Sequence, residues 1–596
     1  MTKTMHLLRA AALCLLAAGA AAAPQGKQLK VLRLPMRASG PGSLDPAIGS
    51  TVYDNECASL FYETLVQYKY LARPYELEPL LLAEMPEISA DGLHYKFKLR
   101  AGLRFHDDAC FPGGKGRELV TDDVFYSWKR LADKDYNYKN YWLIENTIQG
   151  LDEYKDAQAK RREAGQPHDY AAPVSGLVKI DDHAFEVVLK QPVTSFLWKP
   201  SQFQTSIVPH EASEKYGTEL GRRAVGTGPF VFEQWIDKKS LTAQRNPSFH
   251  EEHYPSEHEP EDEPLGLHVA AGQKLPIADR VEITMFSLEN PMWLEFLSGK
   301  LDYVQVPAEN YLEAFHKRSR KLKKEFEDKG IVAHAVPLLD FIFRGFNMED
   351  PLLGGYTDKA RWLRQAIHLA VDHEELNDSY YNGTNILYDG MIPPGLAGYP
   401  PDGKGPVSWL GSDVERSKEL LAKAGYPEGK GLPVIDFYTS VEGNTPEQAE
   451  MVKRQVARVG IQLNLRTLRF ADLIAAIDQK KAGFFGFAWS SDYPDGENNL
   501  SLFYGPNEAP GANHFNYKNP EYDKLYEKIR VMQPSEERTK LYEEMRDMVL
   551  RDTPFVGSMA RTRFYLVQPW LKNYKPSEQF FNWHKYMDVD EQKRSL

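Results

Sequence analysis

Apolar and polar positions along this chain follow two rhythms. Period-two runs predict strands at 31–35, at 79–84 continuing through an Asp91-Gly92 turn to 94–100, at 185–189, at 280–286 and at 461–465. A recurrence of three to four residues predicts helices at 54–68, 121–131, 290–299, 356–383, 412–424 and 448–459. In the first of these, Leu60, Phe61, Thr64, Leu65 and Tyr68 share a face. Thr121 reads as an N-cap, with Asp122 and Asp123 favourably placed in the first turn. Residues 150–172 are charged enough for an exposed helix or insertion. Residues 246–266, acidic, His-bearing and Pro-rich, read as a surface excursion. Strands and helices alternate through the second half, which predicts an α/β architecture.

One run stands apart. Phe484-Phe485-Gly486-Phe487-Ala488-Trp489-Ser490 is an apolar, aromatic strand candidate, and Ser491-Asp492-Tyr493 leads from it into a Pro494-Asp495-Gly496 turn. Asp492 therefore sits where a rigid strand gives way to a loop. Two readings fit that position: a turn cap bonded to its own backbone, or a carboxylate presented to a ligand's positive charge.

Composition narrows the class. At 596 residues the chain exceeds one hydrophobic core, so at least two domains are expected. With 42% hydrophobic and 12% aromatic residues it buries large cores. The net charge of -12 argues against a nucleic-acid partner, whose phosphates need a basic surface.

The N-terminus adds a location. Lys3 and Arg9 precede the apolar run 10–18 and the small residues 19–23, the order of a cleaved export signal. Cleavage is expected near Ala22, with Cys14 inside the apolar run. No later stretch approaches the roughly 20 apolar residues of a membrane span, so the mature chain is expected to be soluble and periplasmic. Its two remaining cysteines, Cys57 and Cys110, are expected to pair in an oxidising compartment, with two separate buried thiols as the alternative; such a bond would stabilise by about 4 kcal/mol.

Catalytic signals are weak. His250-Glu251-Glu252-His253 with His258 has the wrong spacing for a zinc helix and reads as a solvated acidic loop. Gly113-Gly114-Lys115-Gly116 lacks the spacing and hydroxyl of a phosphate-binding loop. The chain holds no G-x-S-x-G and no S-x-x-K. No catalytic residue, metal or cofactor is assigned. An exported hydrolase would need a constellation that the sequence does not offer.

A family resemblance rests on pieces that occur in order along nearly the whole mature chain. They are Ser43-Leu44-Asp45-Pro46, Phe61-Tyr62-Glu63-Thr64-Leu65, Leu103-Arg104-Phe105-His106-Asp107 and Asp122-Asp123-Val124-Phe125-Tyr126-Ser127. Gly226-Thr227-Gly228-Pro229-Phe230, Ser298-Gly299-Lys300-Leu301-Asp302, the run 364–372 and Ala422-Lys423-Ala424-Gly425-Tyr426 follow. Trp489-Ser490-Ser491-Asp492-Tyr493 and Tyr517-Lys518-Asn519-Pro520-Glu521-Tyr522 end the series. Together they resemble the family 5 extracellular solute-binding proteins of ABC importers, the oligopeptide- and dipeptide-binding group. In that light His106-Asp107-Asp108 is a strand-end motif, although its residue types also suit a metal.

The resemblance implies a two-lobed periplasmic binding protein fold of the large peptide-binding type, closing about a two-strand hinge. It implies a first lobe from 23–61, an inserted subdomain 62–175, the segment 176–285 and the C-terminal 563–596, with the second lobe at 286–562. The implied partners are a peptide or small cationic solute and an importer's permease and ATPase, with the protein a monomer. The implied anchor for a peptide's α-amino group is Asp492. The backbone at Ala488 and Ser490, and at Ser50, Thr51 and Val52, would flank an extended peptide, and Trp489 and Tyr493 would wall the pocket. Some relatives hold the ligand carboxylate with an Arg three residues before the Trp; here that position is Gly486. Longer peptides or a non-peptide cation then become candidates. A periplasmic peptide sensor or chaperone-like binder would share the fold and differ in partner.

Overall fold

The computed structural model describes residues 29–37, 40–317, 319–442 and 445–595. The expected export signal at 1–22, with Cys14, lies outside the described residues. Within them the chain gathers around two large apolar cores and one small core.

In the first core, Val31–Met36 runs parallel to Arg280–Met285. Beyond it lie Ser240–Arg245 and Phe230–Ile236, both antiparallel to their neighbours. Leu32, Leu34, Leu241, Ala243, Val281 and Ile283 alternate inward, as a half-buried sheet demands. Beside this sheet, Glu87–Ile88, His94–Lys98, Ala184–Val188 and Leu177–Lys179 form a second, antiparallel one. Helix Thr121–Leu131 accompanies it. The C-terminal segment returns here, burying Tyr574, Phe580, Trp583 and Tyr586. Each such side chain contributes roughly 1.5–3 kcal/mol or more.

The second core surrounds a six-stranded mixed sheet in the order Ile386–Leu387, Phe555–Ala560, Asp340–Phe346, Phe484–Ser490, Ile435–Ser440 and Leu463–Leu468. All six residues of Phe555–Ala560 are buried, so this strand shows no alternation. The small core lies under a three-stranded sheet of Tyr303–Gln305, Thr562–Val567 and Val332–Pro337.

Two neighbouring strands carry the chain into the second core. Val332–Pro337 and Thr562–Val567 pair antiparallel, and they continue into Asp340–Phe346 and Phe555–Ala560. Between the sheets the Leu338 N–H donates to the Arg561 carbonyl at 2.8 Å. Arg561 also clasps Asp340 at 2.6 Å.

Several expected elements are corrected. The helix expected at 54–68 is confined to Val52–Ala58, and Val66–Tyr68 is a strand paired with Leu77–Pro79. Tertiary bonds stop it: the Leu60 and Phe61 carbonyls accept from the N–H groups of Phe230 (3.0 Å) and Gly228 (2.8 Å). A Cβ on Gly226 would lie 2.2 Å from the Phe61 carbonyl oxygen, so only glycine allows that approach. The Thr121–Leu131 helix is capped at Val120, whose N–H donates to Asp123 at 3.0 Å. The run 356–383 is two helices, Asp358–Ala370 and His373–Tyr380, broken where Asp372 caps the second by accepting from Glu375 N–H at 2.9 Å.

The segment 246–266 is stitched into the first core rather than solvated. His250 meets Glu63 at 2.8 Å, Glu252 meets Lys585 at 2.6 Å and Asp262 meets Lys575 at 2.6 Å. Ligating atoms of Glu63, His250 and Glu252 lie within 4.8 Å of one another, but the Lys585 ammonium already neutralises Glu252.

The expected disulfide is absent: Cys57 and Cys110 are free thiols. Cys57 is wholly buried, its sulfur 3.9 Å from that of Met36. Cys110 sits half-exposed on a loop held by Asp108, which accepts its N–H at 2.8 Å. Packing directs the two thiols to different surroundings, and burial raises the pKa of both.

Candidate ligand-binding site

The Phe484–Ser490 strand lies inside the second core's sheet, yet one flank is only partly paired. On one flank it pairs with Asp340–Phe346 along its whole length, from Phe346↔Phe484 to Asp340↔Ser490. On the other, Ile435–Ser440 meets only Phe484 and Phe485. From Gly486 to Ser490 that flank has no strand partner among the described residues. Backbone donors and acceptors left open in this way are a template for an added strand.

At the end of the strand, a short helix fixes the loop. Asp495 caps Gly496–Leu500, pairs with Arg538 at 2.8 Å and accepts from the Tyr542 hydroxyl at 2.6 Å. The helix presents Asn498, whose Oδ1 accepts from Trp489 Nε1 at 2.8 Å and from the Asp492 N–H at 3.2 Å. Its Nδ2 donates to Asp492 Oδ2 at 2.9 Å. One amide thus orients both Trp489 and Asp492. The sequence reading missed it because its only signal was a polar residue one turn after the Asp-Gly step.

Asp492 has no ion-pair partner among the described residues, whereas its neighbour Asp495 has Arg538. Its carboxylate is crowded by protein yet the residue remains exposed to water. Crowding raises its pKa, and the Asn498 bond opposes that rise. A cation arriving here meets an oriented, unpaired carboxylate.

The other expected residues divide into two groups. Ala488 and Ser490 are exposed and Trp489 is half-buried against the second core. Tyr493 is committed within the protein, donating its hydroxyl to the buried Glu497 at 2.6 Å. Ser50, Thr51 and Val52 are exposed but belong to the start of the Val52–Ala58 helix rather than to an extended edge. The Asp54 carboxylate accepts the N–H groups of both Ser50 and Thr51 at 2.8 Å. Those two donors are therefore committed within the protein.

The two large cores also touch beside this loop. The Thr194 N–H and Oγ1 donate to the Arg530 carbonyl at 3.0 and 2.7 Å. Beside the open edge, a groove of about 410 Å³ runs under Gly486, Ala488, Phe437 and Phe487, bounded by Tyr381, Thr439, Phe470, Arg344 and Arg561.

Comparison with known proteins decides the family. The model for bacterial extracellular solute-binding proteins, family 5 (middle), matches residues 76–511. The chain belongs to this family. A heme-binding protein A of Haemophilus influenzae is 27% identical over 554 residues, covering 91% of this chain and 89% of that protein. A probable di/tripeptide-binding protein 5 of Pseudomonas aeruginosa is 25% identical over 509 residues, covering 83% and 84%. The solved structure of HbpA2 from Haemophilus parasuis matches at a TM-score of 0.74 and 21% identity, covering 94% of this chain and all of that one. An unliganded open form of the murein tripeptide-binding protein MppA matches at 0.72 and 18%, covering 94% and 98%. This family 5 solute-binding protein therefore has the two-lobed periplasmic binding fold, and the activity its family shares is binding. Among its described residues no helix is long and apolar enough to cross a membrane.

Proposed function

We propose that this solute-binding protein captures peptides between its lobes in the periplasm and delivers them to an ABC importer, without catalysing a reaction. The observation that carries the reading is Asp492, an unpaired carboxylate held by Asn498 at the end of a strand whose flank is open from 486 to 490. A peptide lying along that flank gains main-chain hydrogen bonds without its side chains being read. Its α-ammonium reaches Asp492, where a charge-assisted bond is worth roughly 1.5–3 kcal/mol. Relatives named for di- and tripeptides support this choice of solute.

The hinge belongs at the paired crossings, 338–339 and 561, so we assign 286–337 to the first lobe and begin the second near Asp340. Closure would select the ligand-bound arrangement that an importer reads. A non-peptide ammonium solute is the second reading, because Asp492 asks only for a cation.

Mass spectrometry of molecules carried through native purification tests both readings. Peptides on the wild type that are missing from Asp492→Ala support the anchor. Peptides retained equally by both proteins would remove Asp492 from its role. A single non-peptide amine would favour the second reading.

A further inference from the structure

Arg344 faces Gly486 across the ladder of the central sheet. Opposed residues of an antiparallel pair put their side chains on the same face. Ile342, Arg344, Gly486 and Ala488 accordingly line one groove. Gly486 has an ordinary backbone, and a Cβ there would lie 3.6 Å from both Phe437 and Thr439, so the turn of the chain does not require glycine. Its effect is to leave the groove open in front of Arg344.

The guanidinium is isolated there. Arg344 is only 7% exposed, and among the described residues no hydrogen bond, ion pair or aromatic face meets it. Its charged neighbours offer no compensation. Arg561 is a second cation already committed to Asp340 at 2.6 Å. The Tyr381 phenol is a further titratable neighbour in the groove, and His368 and His373 stay neutral because burial, together with Arg344, lowers their pKa values. The acid lining the groove, Glu442, is exposed and forms no ion pair among the described residues. A buried, unpaired guanidinium destabilises a fold unless something supplies its anion.

We propose that Arg344 is a specificity-determining residue that binds a carboxylate of the ligand in the groove beside Gly486–Ala488. This deepens the peptide reading and rests on it: Asp492 takes the positive end of the ligand and Arg344 a negative group. The planar fork of Arg suits two parallel bonds to a carboxylate. That carboxylate has two sources, the peptide's C-terminus or an acidic side chain. Gly486 and Asp492 are six residues apart, up to about 20 Å along an extended chain, so the ligand spans several residues.

The experiment compares wild type with Arg344→Met, which keeps the apolar stem, by calorimetric titration with pentaalanine, its C-terminal amide, and amidated pentaalanines carrying one Glu. Wild type should prefer a carboxylate-bearing probe over the plain amide by about 10- to 150-fold, and Arg344→Met should bind them alike. Preference for the free acid alone assigns the C-terminus; preference restored by Glu assigns a side chain. Equal binding of every probe by wild type, or a preference that survives in Arg344→Met, would overturn the proposal while leaving peptide capture intact. If no peptide binds wild type, peptide capture fails, and glutarate becomes the probe. Thermal stabilisation of wild type but not of Arg344→Met would still uphold the anion site; stabilisation of neither would overturn it. Ligand-free Arg344→Met should melt at or above the wild-type temperature, because it loses a buried charge without a partner. A lower melting temperature would give Arg344 a structural role instead.

Discussion

At the scale of single residues, the family's opening motif has a physical reason. Asp45 and Arg130 are each about 1% exposed and meet at 2.6 Å, while Asn140 donates to the carbonyls of Pro46, Ala47 and Gly49. Together they fix the loop that delivers 50–52 to the surface. Asp45→Ala would strand a buried guanidinium, and chemical denaturation should show a loss of about 3–5 kcal/mol. A loss below about 1 kcal/mol would contradict this account.

His250 and Glu63 form a second inward pair, 2.8 Å apart. Burial pulls the His250 pKa down, but Glu63 outweighs it and the net change is upward. Burial likewise pushes Glu63 up, and His250 and Lys585 bring it below its ordinary value. The raised histidine stabilises fully below its unfolded pKa of about 6.5 and loses that contribution as pH rises through the folded value. The lowered carboxylate stabilises above its unfolded pKa of about 4.3 and fails as pH falls through the folded one. The pair is thus strongest from about pH 4.5 to 6.5. Melting curves should show His250→Gln losing more stability at pH 5.5 than at pH 9; an equal loss at both would separate His250 from Glu63. None of this was legible in a sequence where 246–266 shows only acid, His and Pro, because the partners lie 187 and 333 residues away.

At the scale of elements, most strands with clean alternation read well, but of the run expected at 79–84 only Pro79 lies in a strand, Leu77–Pro79. The runs at 31–35, 185–189 and 280–286 were found within a residue or two of their bounds. Helix ends read less well, since tertiary bonds decided them. Apolar periodicity continued past Ala58, yet the Leu60 and Phe61 carbonyls were taken by the Gly226–Phe230 turn. Gly226→Ala would drive a methyl into the Phe61 carbonyl oxygen, 2.2 Å away. We expect a loss of about 1–3 kcal/mol, the usual cost of overpacking, measured by denaturation. Unchanged stability would show that the turn can move away. Asp492 was visible as a strand-end carboxylate, but Asn498 and Arg344 were not, because cross-strand register and helix rotation place them.

At the scale of the whole molecule, two cores are joined by one antiparallel pair of crossings at Leu338 and Arg561. Side chains also bridge them: Thr194 donates to the Arg530 carbonyl, and the Tyr75 ring packs against both cores. Such a junction suits rigid-body closure about two strands. Small-angle scattering should record a smaller radius of gyration when a bound peptide is added. An unchanged radius despite saturating peptide would contradict closure. Composition and motif order announced two domains and a family, whereas the hinge position we propose rests on which strands pair, information absent from a single chain read in order.

The central claim is that Asp492 holds the ligand's ammonium, and a cycle of four affinities tests it most directly. Pentaalanine and N-acetyl-pentaalanine are titrated into wild type and into Asp492→Asn, whose amide keeps the shape of the carboxylate. Acetylation should weaken binding to wild type by about 10- to 150-fold and leave Asp492→Asn nearly indifferent. Equal affinity of wild type for both peptides, or an acetylation penalty that persists unchanged in Asp492→Asn, would contradict the account.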